Sequence, residues 1–299
     1  MPGSTANRHA VAHGGQQDLV LATRLGKPYG MLGTKRVIGS YHQRKPAVQA
    51  HHGTKLHLLG LLGLCAKVVK CSPLSRIDRQ AIIDSVLLGQ GMAAYGPLQR
   101  NIHNDPDVAH YDYDPEKAKT ILEDAGCTMS ENGFYERNGK EIGFVISVMA
   151  GEQDRIDIAQ AAAQQLRDIG INCTVDIPAQ MDWGGQMACL IGWGSPFDAD
   201  DHTYKVFGTD KGANYSGYSN ALVDEYLTLA RQSSDDAVRK EYYSKFLHAL
   251  ADDPAYAFIC YIDANYVAKS TIHGIDADTV LGHHGVGIFW NIQDWTIGE

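Results

Sequence analysis

No uninterrupted run of eighteen apolar residues occurs in the 299-residue chain, so no membrane-spanning helix is encoded. The apolar stretch Leu56–Val69 is short, broken by glycine and too far from Met1 to read as a secretory signal, so none is readable here. Cysteine is scarce. The six residues at 65, 71, 127, 173, 189 and 260 match neither a zinc knuckle nor a disulfide ladder, and most read as small buried hydrophobes. Catalytic signatures are missing as well: there is no G-x-S-x-G, no Walker-type loop and no H-E-x-x-H. Gly89-Gln90-Gly91 lacks the third glycine and preceding strand of a dinucleotide fingerprint. One enzyme reading survives, a metal-dependent hydrolase built on His202, His283, His284 and nearby aspartates, but no spacing supplies its general base. Repeats, low-complexity tracts and coiled-coil heptads are also absent.

Acidic residues are nearly absent from one part of the chain. Met1–Ser75 holds ten Lys/Arg, six His and a single carboxylate, Asp18, for a formal charge of +9, whereas Arg76–Glu299 carries −18. A break this sharp marks a boundary. The basic segment shows little periodicity, and His51-His52 within it carries no weight. Two readings stay open: a poorly ordered basic arm, or a stretch out of the reading frame that the rest reflects. The second is preferred, because a selected basic arm would cluster its charge. The acidic body argues against nucleic acid as a partner, since phosphate contacts need a basic face. At 44% hydrophobic and 20% charged residues, the composition is that of an ordinary globular protein.

Beyond residue 76 the elements are legible. Ile77–Leu88 has helical spacing with Gly89 as a stop, and GQGMAAYGPL after it reads as an irregular loop. Asp114–Gly126 predicts a helix, with Asp114 as cap, Pro115 at the first turn and Gly126 as terminator. Gly133–Val148 predicts two strands joined at Asn138-Gly139. A helix over Gln153–Ile169 and a strand over Ile171–Ile177 complete a βαβ unit with a right-handed crossover. Ser219 and Asp235 are expected to cap helices ending near Gln232 and Asp252, and Ala257–Ile262 and Asn265–Ala268 read as strands before a loop-rich tail.

The segment Gly192–Asp201, GWGSPFDADD, carries the chemistry. An apolar run ends in Trp193, a Gly/Pro turn loaded with carboxylates follows, and then come His202 and the loop NYSGYSN. Trp193, with glycine on both sides, is favoured as a ligand contact over a packed core residue. Asp198, Asp200 and Asp201 have the spacing of a cation site, but a capped turn is the favoured reading. Tyr215 and Tyr218 either line a cleft or pack the loop. His202 and the glycine-flanked His283-His284 are candidate metal ligands, weighed against solvated or incidental histidines.

From Ile77 onward the chain resembles the extracytoplasmic solute-binding proteins of ABC importers, in the dipeptide, oligopeptide and nickel family. The pieces that carry the resemblance occur in the family's order: IDRQAIIDSVLLGQGMAAYGPL, YDYDPEKAKTILEDAG, the hairpin and βαβ region, GWGSPFDADDH, and GYSNALVDEYLTLARQSSD with RKEYYSKFLHALADD. The resemblance implies an α/β protein of two lobes that closes on its ligand. It implies a second lobe over residues 76–262, a return towards a largely missing first lobe over 263–299, and leaves 1–75 unassigned. GWGSPFDADDH is similar to the WG-x-P-x-D-P-H pattern of nickel-type members, with Trp193, Gly194, Pro196, Asp198 and His202 as the matching residues. Asp200 stands where proline is expected if Ala199 is an insertion. Peptide binders place an aspartate near Pro196 to pair with an amino terminus, and Pro196 offers no carboxylate. The implied function is capture of nickel within a small organic chelate, with a dipeptide or oligopeptide as the alternative ligand. The implied partners are membrane permease subunits, and the implied setting is extracytoplasmic, periplasmic or membrane-anchored. A monomer without a resident cofactor is expected. A fragment that binds nothing tightly is a further reading.

Overall fold

The computed structural model describes residues 11–13, 17–23, 77–99, 101–183, 185–194, 198–263, 265–276 and 287–298. Its frame is a six-stranded mixed sheet. In chain order the strands are β1 (Val11–His13), β2 (Gln17–Thr23), β3 (Gly91–Ala93), β4 (Thr128–Met129), β5 (Tyr135–Arg137), β6 (Lys140–Glu141), β7 (Gly143–Ser147), β8 (Asn172–Asp176), β9 (Ala188–Gly194), β10 (Tyr256–Ile262), β11 (Asn265–Val267), β12 (Ile272–His273) and β13 (Thr296–Ile297). The main sheet has the order β3-β10-β2-β9-β7-β8, and β4-β5-β6, β1-β11 and β12-β13 form small sheets beside it. The helices are α1 (Arg79–Val86), α2 (Pro115–Asp124), α3 (Gln153–Asp168), α4 (Ala199–Phe207), α5 (Ala221–Gln232) and α6 (Asp236–Asp252).

Local chemistry sets most boundaries. Asp114 accepts from the Lys117 N–H at 2.9 Å with Pro115 next, as the sequence predicts for α2. Asn138 and Gly139 have φ of 53° and 70°, the left-handed pair that a tight hairpin requires. The second predicted strand divides, however: Lys140–Glu141 closes the hairpin, and Gly143–Ser147 joins the main sheet parallel to β8. With α3 between them, β7 and β8 form the expected βαβ unit.

Helices cover both faces of the sheet, so β9 and β10 send buried side chains into a core on each side. One core joins Ile82, Ile83, Leu122, Ile158 and Leu166 to Ile146, Leu190 and Ile259. The other joins Phe207, Leu227, Tyr243 and Phe246 to Ile191, Tyr256 and Phe258. Alternation sends Leu190 to the first core and Ile191 to the second. In β10 the register against β2 shifts between Phe258 and Cys260, and the bulge turns Ile259 and Cys260 together into the first core. Arg79 is buried at the start of α1, where its Nε donates to the Phe258 carbonyl at 2.8 Å and its Nη1 to that of Tyr111 at 3.0 Å.

Three expectations change. The stretch after Gly89 contains a strand, β3, paired to β10; a methyl on Gly91 would stand 2.6 Å from the Tyr261 carbonyl oxygen, so glycine admits the close approach. Asn220, not Ser219, caps α5, accepting from the N–H groups of Leu222 and Val223 at 3.0 and 3.4 Å. Within the segment left unassigned, Gln17–Thr23 is an inner strand of the main sheet, antiparallel to both β9 and β10. The four cysteines at 127, 173, 189 and 260 are buried, as expected of small hydrophobes.

Candidate functional site

Strands β7, β8 and β9 run parallel, and their carboxyl ends share one edge of the sheet, where open α/β folds place ligands. β9 outruns its neighbour. Its pairing with β7 covers Ala188 and Cys189 only, whereas pairing with β2 continues to Gly194. Gly192, Trp193 and Gly194 therefore project beyond the parallel strands, and alternation turns consecutive residues to opposite faces.

On one face stands an aromatic column. Tyr215 stacks on Trp193 with ring centroids 6.0 Å apart at 11°, and on Trp183 at 4.4 Å and 25°. His202, on α4, lies 5.7 Å from the Trp193 ring, and its Nε2 is 3.7 Å from the Asp201 carboxylate. Trp193 packs against the second core, and its indole Nε1 is buried without a hydrogen-bond partner among the described residues. On the other face the bare Cα of Gly192 receives Arg155. A methyl there would stand 2.8 Å from Arg155 Nη2 and 3.1 Å from its Cζ. The guanidinium is held 3.3 Å from Glu152 in the same turn, with its side chain 17% exposed. Residue 192 is glycine because that space belongs to an arginine.

The aspartate cluster is not a free cation site. Asp198 caps α4, accepting from the Asp200 N–H at 2.8 Å, and pairs with Arg239 of α6. Asp200 meets Arg231 at 3.2 Å, and Asp201 meets Lys205 at 3.2 Å. Each carboxylate has its own cation. The Arg239 hydrogen bond holds the Asp198 carboxyl below its ordinary range, whereas burial pushes Asp200 upward despite Arg231. Among the described residues, no group of three or more His, Cys, Asp or Glu side chains is placed to hold a metal ion.

The predicted contacts thus divide. Trp193, Tyr215 and His202 come together at the end of β9. Tyr218 is 2% exposed in the second core, its N–H held by Asn214 Oδ1 at 3.0 Å, so it packs the loop rather than lining a cleft. Asp198 is engaged by α4 and Arg239. Gly194 ends β9, and Pro196, His283 and His284 lie outside the described residues. Arg155 and Trp183 were missed in sequence. The only available signals were an arginine in the first turn of a helix that follows a strand, and a tryptophan ten residues before Trp193.

Known proteins resemble the chain in sequence and in fold. The family model described as "Bacterial extracellular solute-binding proteins, family 5 Middle" matches residues 76–215. The oligopeptide-binding protein AppA of Bacillus subtilis is 28% identical over 251 residues, covering 78% of this chain and 44% of AppA. Protein XP55 of Streptomyces lividans is 32% identical over 213 residues, covering 67% of this chain and 38% of XP55. The crystal structure of NikZ from Campylobacter jejuni in complex with Ni(L-His) superposes with a TM-score of 0.75 at 28% identity, covering 96% of this chain and 53% of NikZ. The chain spans about half the length of these relatives or less. No helix among the described residues is long and apolar enough to cross a membrane. The α/β architecture expected from the sequence is found, in the form shared with two-lobed periplasmic binding proteins. Over residues 76–215, the chain belongs to the family 5 bacterial extracellular solute-binding proteins.

Proposed function

We propose that the chain is the substrate-binding component of an ABC importer and captures nickel as a small organic chelate. One observation carries the reading: the end of β9 sets an aromatic face, Trp193 with Tyr215, on one side and the Arg155 guanidinium on the other. The two lie on opposite faces of the strand, so one small anion-bearing organic molecule meets both only by reaching round the carboxyl end of β9, its apolar part against the ring and its carboxylate against the fork of N–H donors. A bare hydrated metal ion has no use for either. His202, against Trp193, is the described imidazole nearest this face, and His283-His284 are the remaining candidates for direct metal contact. Likeness to NikZ, whose crystal structure holds Ni(L-His), supports the same reading.

Capture follows from differential affinity: a ligand that touches more protein in the closed clamp than in the open one shifts the population towards closure. The protein acts by binding, without an enzymatic step, on the extracytoplasmic side and alongside membrane permease subunits. AppA, an oligopeptide-binding relative, favours a second reading in which the carboxylate at Arg155 belongs to a peptide. Calorimetric titration with Ni(II) plus L-histidine, beside a dipeptide pool, separates the two. Heat from the nickel–histidine mixture alone supports the first reading, heat from peptides alone supports the second, and silence from both overturns the receptor function for this chain.

A further inference from the structure

Trp183 is the outer member of the aromatic column. It is 36% exposed although Tyr215 covers one of its faces at 4.4 Å. The backbone beneath it is fixed. The Asp182 carbonyl accepts from the N–H groups of Gly185 and Gln186 at 3.1 and 3.3 Å, and Gln186 Nε2 donates to the Trp183 carbonyl at 3.1 Å. Gly185 permits that turn, because a methyl there would fall 2.2 Å from the Asp182 carboxylate. The backbone carbonyls on either side are thus hydrogen-bonded, Tyr215 packs against one face of the indole, and the exposed area of the ring lies away from Tyr215. A large apolar ring stacked on one face with open surface elsewhere is costly in water and offers area for a further stacked ring, part of whose ordering cost the Tyr215 contact has already met.

We propose that Trp183 is a specificity-determining residue that selects ligands carrying a planar ring, such as an imidazole or indole side chain in an amino-acid chelate or peptide. The inference rests on the receptor reading above and deepens it. Stacking on the open part of the indole extends the column Trp193, Tyr215, Trp183 by one more ring, the ligand's own. Each ring–ring contact of this kind changes affinity by roughly three- to tenfold. The effect is selective, because a ligand without a ring has nothing to place there.

The test is calorimetric titration of the full chain with two ligand pairs, Ni(II) with L-histidine or with glycine, and the dipeptides Ala-Trp or Ala-Ala. The wild-type chain should prefer the ring-bearing member of at least one pair. Trp183→Ala should abolish that preference while keeping the affinity for the ring-free member, and Trp183→Phe should retain most of it. Thermal melts of both variants confirm that the fold is kept. Equal weakening of both members in Trp183→Ala, or a preserved preference, overturns the inference and leaves the receptor reading standing. If the wild-type chain binds neither pair, the receptor reading fails and the inference fails with it.

Discussion

Arg239 of α6 hydrogen-bonds the carboxylate of Asp198, 41 residues earlier, and so ties the start of α4 to a helix on the same face of the sheet. Asp198 also caps α4. Replacing Asp198 with Asn keeps an oxygen for the cap and removes the charge pair. The expected loss is roughly 0.5–1 kcal/mol, since the aspartate is half exposed. Asp198→Ala removes the cap too and should cost about 1 kcal/mol more in thermal or urea unfolding.

The pH dependence of that loss has a definite sign. The Asp198 carboxyl titrates below its ordinary range in the folded chain, chiefly because of Arg239. Its contribution is therefore complete above the unfolded value of about 3.9 and disappears as pH falls through the lower native value. The stability gap between wild type and Asp198→Asn should close in acid. Urea midpoints between pH 7 and pH 3 check this, and a gap that widens below pH 4 refutes it.

Gly192 and Arg155 form a second testable pair. Gly192→Ala puts a methyl 2.8 Å from Arg155 Nη2, the far end of a flexible side chain, so the guanidinium can lift at small cost. Stability should fall by less than about 1 kcal/mol, while affinity for carboxylate-bearing ligands falls roughly tenfold. Arg155→Ala should weaken binding in the same direction. A loss of several kcal/mol in melting experiments with unchanged affinity would instead make Arg155 a structural brace.

Burial makes a sharper contrast in the second core. Phe246 is fully buried against Phe207, with ring centroids 5.6 Å apart, so Phe246→Ala should cost about 3–5 kcal/mol. Leu222 is half exposed on α5, and Leu222→Ala should stay within about 0.5 kcal/mol. Chemical denaturation of the two variants side by side measures the difference.

Cys173 and Cys189 lie in the sheet, where burial pushes their thiols up to about 12 and about 11. At pH 8 roughly one Cys189 in a thousand is thiolate, and fewer at Cys173. Iodoacetamide should leave both unmodified in the folded chain and label both in urea, read by peptide mass mapping. Labelling under native conditions would contradict the burial.

Sequence pattern revealed those parts of the fold whose cause is local. The Asp114-Pro115 start of α2, the Asn138-Gly139 turn and the helical spacing of α3 each depend on residues a few positions apart. Strand β3 escaped notice because its reason for existing is β10, 167 to 171 residues away, and its three residues GMA carry no alternation. Ser219 and Asn220 are both capable caps, and only the path of the chain into α5 decides between them. At the site, Trp193 stood out through its flanking glycines. Arg155 did not, because its guanidinium fills the space over Gly192, and a missing side chain leaves no pattern that points to the residue filling it. The aspartate cluster shows the opposite case: a suggestive spacing whose charges are matched by Lys205, Arg231 and Arg239 once the helices assemble.

The position of β2 has a consequence for how the molecule is made. Both of its edges are occupied in the finished sheet, yet its nearest partner in sequence, Ala188 opposite Thr23, lies more than 160 residues downstream. During synthesis a seven-residue strand must wait with two open edges while the βαβ unit forms ahead of it. Closure of the sheet then depends on contacts of very long range, which is slow, and an open edge invites pairing with another chain. Yield of soluble protein should therefore be limited less by the finished structure than by the interval before β9 and β10 arrive on either side of Gln17–Thr23.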